Sequence, residues 1–277
     1  MPEDKRRIGR KVFASWQSID EYRGNALEKS EWRSFVRTIL IGIVLLLFFI
    51  VSIPLYLVEW IVGKFNMDAK AHMAQHIVVW MFKRILWIGG VHVTVKGVER
   101  VPEDGACLFV FNHRSYFDIL VGYTTAPKYL GFVSKIEIGK IPFISRWMKF
   151  MHCLFLDRKK PRAGMQMLLD GVKLLKSGHS IFIAPEGTRN YKEGTLKFQE
   201  GSLKMAEKAK VPVVPVAMNN NDSIFEKHLP WVHSAHVIVE YLEPVRFEDF
   251  EGEDKKHVGA YVRERINEAI ERNAAEI

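Results

Sequence analysis

The sequence predicts an α/β fold with a largely parallel central sheet flanked by helices, preceded by an N-terminal membrane-embedded helix pair. Three observations support this prediction. A long uncharged run occupies Ile39 to Val58, β-rich and helical runs alternate from Val91 onward, and several of the β-rich runs are apolar throughout. Continuous apolar strands are typical of a parallel sheet covered on both faces. Alternation of strands with helices indicates the same architecture.

The composition is that of a folded protein. The chain has 277 residues, of which 48% are hydrophobic and 26% are charged, and this length is ample for a sizeable core. Its two cysteines exclude a disulfide-rich scaffold and a multi-cysteine zinc module. The formal net charge of +8 favours an anionic partner. Because the sequence has no Lys/Arg-rich tract with interleaved aromatic residues, nucleic acid is not predicted as a partner.

Three segments are expected along the chain. Residues 1–38 form a basic N-terminal arm, residues 39–90 form membrane-anchoring helices, and residues 91–277 form the domain that contains the sheet. The arm carries basic residues at positions 5–7 and 10–11. The positive-inside rule therefore predicts a cytoplasmic N-terminus.

The apolar segment after the arm is predicted to enter a membrane. Ile39 to Val58 has no charge over 20 residues, a length that can cross a bilayer as a helix. Pro54 is expected to break this helix. A second apolar helix is expected from Asp68 to Ile88, with Asp68 as its N-cap and Gly89-Gly90 at its end. Two topologies remain open, a single span and a hairpin dipped into one leaflet.

The rest of the chain is predicted to form seven strands and five helices. The strands are expected at Val91–Val95, Ala106–Phe111, Leu130–Ser134, Cys153–Leu156, Ser180–Ala184, Val213–Ala217 and Val237–Tyr241. The helices are expected at Tyr116–Thr124, Phe143–Phe150, Arg162–Lys176, Gly201–Lys208 and Lys256–Ala274.

Polar residues follow directly on the second predicted strand, beginning with Asn112 and His113. Ligands of open α/β sheets bind at the carboxyl ends of the strands, and an imidazole pKa of roughly 6.5 suits proton transfer near neutral pH. Asp118 can bond the imidazole only if His113 lies in the loop and Asp118 in the first turn of the next helix. A capping box between Ser115 and Asp118 is the structural alternative, and the two interpretations are compatible.

A second polar turn, Pro185 to Arg189, follows another apolar strand. Gly187 permits a positive φ and a close backbone approach. The planar fork of Arg189 suits phosphate, and Glu186 can accept hydrogen bonds from hydroxyl groups. An ordinary surface turn is the alternative for this stretch alone, but two such turns after two buried strands favour a functional site.

These motifs together resemble the glycerophospholipid acyltransferase family, and most closely its bacterial 1-acyl-sn-glycerol-3-phosphate (lysophosphatidate) acyltransferases. NHRSYFD at 112–118 is similar to the family's N-H-x-x-x-x-D motif, and PEGTR at 185–189 to its F-P-E-G-T-R-S motif. Three further blocks resemble family motifs in the family's order: FVSKIEIGKIPFISRWM from Phe132, FLDRKK from Phe155 and VPVVPVAM from Val211. Departures from the family pattern are Ala184, Asn190, FQEGS at 198–202 and Ser145.

The resemblance implies a membrane-bound enzyme that moves a fatty acyl group from acyl-CoA or acyl-carrier protein to the sn-2 hydroxyl of lysophosphatidic acid, giving phosphatidic acid. It implies that His113 is the general base and that Asp118 orients it. It further implies that Arg189 binds the phosphate and Glu186 the glycerol. The substrate-binding set implied in this way is Asn112, Lys135, Arg158, Glu186, Gly187, Thr188 and Arg189.

The same resemblance implies no cofactor and no metal. The expected partners are a lysophospholipid, an acyl thioester or acyl-carrier protein, and membrane lipids. The expected location is the inner membrane of the cell or an equivalent membrane, with the catalytic domain on the cytoplasmic face. Three alternatives remain open: another lysophospholipid or glycerol-3-phosphate as acceptor, a thioesterase-type hydrolase, and a non-catalytic lipid-binding protein.

Overall fold

The computed structural model describes residues 3–192 and 194–277, with side chains from Lys29 onward except at Pro161. The basic side chains at positions 5–7 and 10–11 lie outside the described side chains. The helices are α1 (Glu3–Phe65), α2 (Met67–Gly89), α3 (Phe117–Thr125), α4 (Ile144–Phe150), α5 (Pro161–Lys176), α6 (Glu200–Ala209) and α7 (Val258–Ala274). The strands are β1 (His92–Lys96), β2 (Leu108–Phe111), β3 (Leu130–Lys135), β4 (Leu154–Leu156), β5 (Ser180–Ile183), β6 (Val213–Asn219) and β7 (His236–Tyr241).

The seven strands form one sheet in the order β1-β7-β6-β2-β5-β3-β4. Five neighbouring pairs are parallel, and β6 with β7 is antiparallel. The strand β2 lies in the middle, where Leu108 is in register with Ile181 of β5 and with Val213 of β6. The predicted α/β class with a largely parallel sheet is therefore confirmed.

Each face of the sheet is covered by its own apolar cluster, as the alternation along β2 shows. Phe109 and Phe111 point into a cluster shared with α2, α3 and α4. Leu108 and Val110 point into a cluster shared with α6 and α7. All four side chains are buried. Burial on both faces explains why the strand is apolar throughout its length.

The two N-terminal helices form an antiparallel hairpin that turns at Asn66. Near the turn, Gly63 of α1 faces the Lys70 side chain of α2, and at the other end Gly90 faces the Arg37 guanidinium. The helix α2 ends at Gly90 with a left-handed φ of 68°, as the sequence predicted. We call the paired segment, residues 37–90, the hairpin.

Two predictions about the hairpin were wrong. Pro54 does not break the first helix, because α1 continues through it to Phe65. A proline removes one backbone donor from a helix, and here buried Ser52 and Tyr56 hold the flanking turns against the domain. Asp68 is not the N-cap of α2. The cap is Asn66, whose side chain accepts the N–H of Ala69 at 2.9 Å.

The hairpin is docked on the sheet-containing domain by hydrogen bonds along its length. The indole N–H of Trp147 donates to Ser52 Oγ at 2.9 Å, and the Tyr56 hydroxyl donates to the carbonyl of Phe143 at 3.0 Å. At the open end, the N–H of Val232 donates to Thr38 Oγ1 at 2.8 Å. The inner faces of α1 and α2 therefore belong to the core on one side of the sheet.

Candidate active site

The site lies at the carboxyl ends of β2, β5 and β6, which are neighbours and parallel. His113 follows β2, Glu186 follows β5, and the polar run from Asn219 to Asp222 ends and follows β6. Because parallel strands end at the same edge of the sheet, these three loops converge there. The two predicted polar turns are thus brought together, and a third loop joins them.

His113 and Asp118 form a hydrogen-bonded pair. The Nδ1 atom of His113 lies 2.8 Å from Asp118 Oδ2. Asp118 is fully buried, and the His113 side chain is 21% exposed. A carboxylate at Nδ1 requires the proton on that nitrogen, which leaves the lone pair on Nε2. The pair can therefore accept a proton from a group that approaches the exposed part of the imidazole.

The predicted capping box is not formed, because α3 begins at Phe117 with Tyr116 as its N-cap and no side-chain cap hydrogen bond. Asp118 nevertheless bonds the backbone of the loop before α3. Its Oδ2 accepts the backbone N–H groups of Arg114 and Ser115, each at 2.8 Å. In return, the Ser115 hydroxyl oxygen accepts the N–H of Phe117 at 2.9 Å. The loop that carries His113 is thereby folded around a single carboxylate oxygen.

Asn112 anchors this loop to the neighbouring strand β6. Its side-chain amide donates to the carbonyl of Met218 and accepts the N–H of the same residue, both at 2.8 Å. Asn112 is 1% exposed. Its position is that of a support for the His113 loop, and its predicted part in substrate binding remains a prediction.

Glu186 joins the two polar turns through the backbone. Its Oε1 accepts the N–H of His113 at 2.9 Å, and its Oε2 accepts the N–H of Leu196 at 2.8 Å. The carboxylate is buried, and this burial raises the pKa of Glu186 above its ordinary value. Both oxygens are engaged by backbone amides, and the expected contact with glycerol remains a prediction.

Arg189 lies beside the His113 loop and is held by three groups. Its Nη1 donates to Glu226 Oε1 at 3.2 Å, and its Nη2 donates to the Tyr116 hydroxyl at 3.0 Å. Its guanidinium also stacks on the Tyr116 ring, 3.7 Å from the centroid. The side chain is 23% exposed. A guanidinium has five N–H donors, and among the described residues two side-chain hydrogen bonds are made by this one.

The turn that carries Arg189 depends on Gly187. Gly187 has a φ of +73° and no atom within 4 Å of an added Cβ. Its requirement for glycine therefore comes from the backbone conformation rather than from a close approach. The neighbouring Thr188 is exposed.

Lys135 and Arg158 lie apart from this centre, at the carboxyl ends of β3 and β4. Lys135 is paired in register with Leu156, the last residue of the edge strand β4. Both cations are exposed. Among the described residues, neither makes a hydrogen bond to the His113–Asp118 pair. They share its edge of the sheet, and their role remains a prediction.

Three contributors were missed by the sequence reasoning: Asn221, Asp222 and Glu226. Asn221 Nδ2 donates to Asp118 Oδ1 at 2.8 Å, and Asp222 pairs with the Arg114 guanidinium at 3.2 Å. Glu226 accepts the Ser115 hydroxyl at 2.6 Å and the Tyr116 N–H at 2.7 Å. A sequence signal for them was present, because polar residues 219–222 lie at the carboxyl end of the apolar strand β6. Asn112 and His113 lie in the same way after β2.

In the part of the chain that the structure describes, no group of three or more His, Cys, Asp or Glu side chains is placed to hold a metal ion. Cys107 and Cys153 are free and buried. The predicted absence of a metal and a cofactor remains a prediction.

The chain is similar in sequence to known acyltransferases. Residues 92–219 match a family model described as Acyltransferase. The 1-acyl-sn-glycerol-3-phosphate acyltransferase of Borreliella burgdorferi is 26% identical over 194 residues, which cover 67% of this chain and 74% of that protein. A chloroplastic enzyme of the same name from Brassica napus is 34% identical over 131 residues, which cover 47% of this chain and 38% of that protein.

One solved structure is similar over most of the chain. It is the crystal structure of the 1-acyl-sn-glycerophosphate (LPA) acyltransferase, PlsC, from Thermotoga maritima. The TM-score is 0.77 at 23% identity, and the match covers 89% of this chain and 98% of that chain. At this identity the likeness establishes the fold. Asn221, Asp222 and Glu226 lie beyond the residues that match the family model.

Proposed function

We propose that this chain, whose residues 92–219 match the acyltransferase family model, transfers a fatty acyl group from a thioester to the sn-2 hydroxyl of lysophosphatidic acid. The match to the family model and the named relatives confirm the resemblance predicted from the ordered motifs. The acceptor is inferred from the names of the relatives, several of which are 1-acyl-sn-glycerol-3-phosphate acyltransferases. The donor is proposed to be acyl-CoA or acyl-carrier protein.

The observation that carries this proposal is the 2.8 Å contact between His113 Nδ1 and Asp118 Oδ2. In the proposed reaction, His113 Nε2 takes the proton of the acceptor hydroxyl. The hydroxyl oxygen then bonds to the thioester carbonyl carbon, the carbon–sulfur bond breaks, and the proton passes to the leaving thiolate. Asp118 stabilises the imidazolium that forms between these two events.

The phosphate of the acceptor is proposed to bind Arg189. Glu226 and Tyr116 fix the plane of the guanidinium through two of its five N–H donors, and a planar fork binds phosphate in a bidentate manner. Gly187 and Thr188 shape the turn that presents it, and Glu186 and Asn112 support the loop beside it. Lys135 and Arg158 are proposed as outlying cations for the phosphorylated groups of the substrates.

The hairpin is proposed to anchor the enzyme in one leaflet of a membrane. Of the described residues, one helical stretch, Lys29–Phe65, is long and apolar enough to cross a membrane, and 17% of its most apolar window is buried. The hairpin nevertheless contacts the domain at both ends, through Thr38 and Val232 at one end and Asp68 and His179 at the other. This attachment at both ends supports a hairpin that lies in one leaflet rather than a single span.

The outer face of α1 supplies the surface for this anchor. Its exposed apolar side chains run along the helix, and Trp80 and Trp87 are exposed on α2, as expected at a membrane interface. The exposed α1 residues include Ile43, Leu46, Leu47, Ile50, Ile53 and Leu57. We further propose the division into residues 1–38, 39–90 and 91–277, with residues 91–277 on the cytoplasmic face, where the thioesters are.

The proposed function is tested with His113→Ala, assayed with labelled acyl-CoA and a panel of lysophospholipids in detergent. Loss of a general base predicts a fall in rate of about 10³ with folding and membrane binding retained. A matched control is His92→Ala, because His92 is exposed at the amino end of the edge strand β1. Near-wild-type turnover by His113→Ala, or thioester loss that does not depend on lysolipid, would contradict the proposal.

A further inference from the structure

Asn221 is a buried residue whose side-chain amide contacts the carboxylate of Asp118. The residue is 1% exposed, and its Nδ2 donates to Asp118 Oδ1 at 2.8 Å. The amide Oδ1 has no partner among the described residues. Exchanging the amide oxygen and nitrogen would place that oxygen against the carboxylate, so the bond to Asp118 determines the orientation of the amide.

The two oxygens of Asp118 are divided between two sets of donors. Oδ2 accepts His113 Nδ1 and the backbone N–H groups of Arg114 and Ser115. Among the described residues, Oδ1 is bonded by Asn221. Because a carboxylate rotates about its last torsion, a bond on Oδ1 adds a second restraint on that rotation.

We infer that Asn221 is a positioning residue of the active site, which holds the Asp118 carboxylate so that Oδ2 faces His113 Nδ1. The inference rests on the proposed function, since it assigns Asn221 to the same histidine–aspartate pair. Asn221 follows β6, whose carboxyl end lies beside that of β2. The sheet topology therefore delivers this amide to Asp118 from a loop far along the chain.

The charges around the pair define what a substitution of Asn221 would change. Asp118 faces His113, and Glu186 contacts the His113 backbone. The neighbouring Asp222 is paired with Arg114 and with Lys227. Replacement of the amide by a carboxylate would therefore add one unpaired negative charge directly against Asp118.

Two variants test the inference, with kcat and KM measured from pH 5 to 9. Asn221→Leu removes the donor without adding charge, and we expect kcat to fall about tenfold to a hundredfold at every pH with little change in the acceptor KM. Asn221→Asp retains a donor while the introduced carboxyl is protonated, because its O–H can then bond Asp118. Deprotonation removes this donor and adds a repelling charge.

The activity of Asn221→Asp relative to wild type is therefore expected to be highest at low pH and to fall as pH rises. The matched control is Asn273→Leu, since Asn273 of α7 is a buried amide whose Nδ2 donates to a carboxylate outside the site, Glu240 Oε2, at 2.9 Å. This control should keep its kcat and the wild-type pH profile.

Two results would overturn the inference. One is kcat within twofold of wild type in Asn221→Leu, and the other is a pH profile of Asn221→Asp parallel to that of wild type. Full activity of His113→Ala would instead refute the proposed function, so the two failures are distinguishable.

Discussion

Replacing Ser52 by alanine tests whether the hairpin is docked on the domain as the structure shows. Ser52 is fully buried, and its hydroxyl oxygen accepts the indole N–H of Trp147 at 2.9 Å. The same hydroxyl donates to the carbonyl of Phe48 within α1. Ser52→Ala leaves the indole N–H of a residue that is 3% exposed without its partner.

The expected loss of stability is set by the free-energy cost of leaving a buried donor unpaired. Such a group costs about 1–3 kcal/mol, so the free energy of unfolding should fall by about 2 kcal/mol. At roughly 2–4 °C for each kcal/mol in a chain of this size class, Tm should fall by about 4–8 °C. Thermal unfolding in detergent, followed by circular dichroism, measures the shift.

A matched control lies on the same helix. Ser34 is 1% exposed, and its hydroxyl donates to the carbonyl of Ser30 one turn earlier. Removal of such a back-bond leaves no side-chain donor without a partner, and Ser34→Ala should therefore change stability by less than about 0.5 kcal/mol.

A double-mutant cycle isolates the bond between Ser52 and Trp147. In a Trp147→Phe background no indole N–H remains, and the loss caused by Ser52→Ala should shrink by about 1–2 kcal/mol. The reasoning is refuted if Ser52→Ala melts at the temperature of Ser34→Ala, or if the cycle gives no coupling.

Two further predictions concern the substrate and the membrane. Arg189→Lys should mainly raise the apparent KM for lysophosphatidate, because the charge is kept while the planar fork is lost; steady-state kinetics with varied acceptor check this, and a change in kcat alone would contradict the phosphate assignment. Cysteines placed at positions 5 and 250, with Cys107 and Cys153 replaced, should both react with an impermeant thiol reagent from the cytoplasmic side only. Labelling from opposite sides would indicate a single span and would require a different account of donor access.

The strands were predictable because each buried strand is a short run of apolar residues. All seven predicted strands are present, and each boundary lies within two residues of its prediction. The strand β2 illustrates the reason. Its residues point alternately into two separate cores, so every position must be apolar, and the run ends where the chain leaves the sheet.

The hairpin was predicted less well, because its details depend on packing and on local competition. Pro54 removes one hydrogen bond from α1, but contacts made by Ser52 and Tyr56 with the domain keep the helix continuous. Asn66 was overlooked as a cap in favour of Asp68, although both residue types cap helices well. Which of these two residues caps α2 depends on the backbone conformation at the turn between α1 and α2.

The site residues that lie close together in the sequence were predictable, and those contributed from far along the chain were not. His113 and Asp118 are five residues apart and share one loop, so their pairing could be argued from spacing. Asn221 and Glu226 reach the same loop from more than 100 positions away. Only the sheet order, which places β6 beside β2, brings these side chains to the loop.

Because the hairpin and the sheet share one core, the order in which they are synthesised affects how the protein folds. Ala74 and Val78 of α2 belong to the same buried cluster as Phe109, Val214 and Val239. Translation delivers the hairpin before β7, the last strand that packs against it. We expect lipid or a chaperone to cover the inner face of the hairpin during this interval. Removing residues 1–90 would equally uncover the apolar face of the sheet, so truncation would yield an aggregating fragment rather than a soluble enzyme.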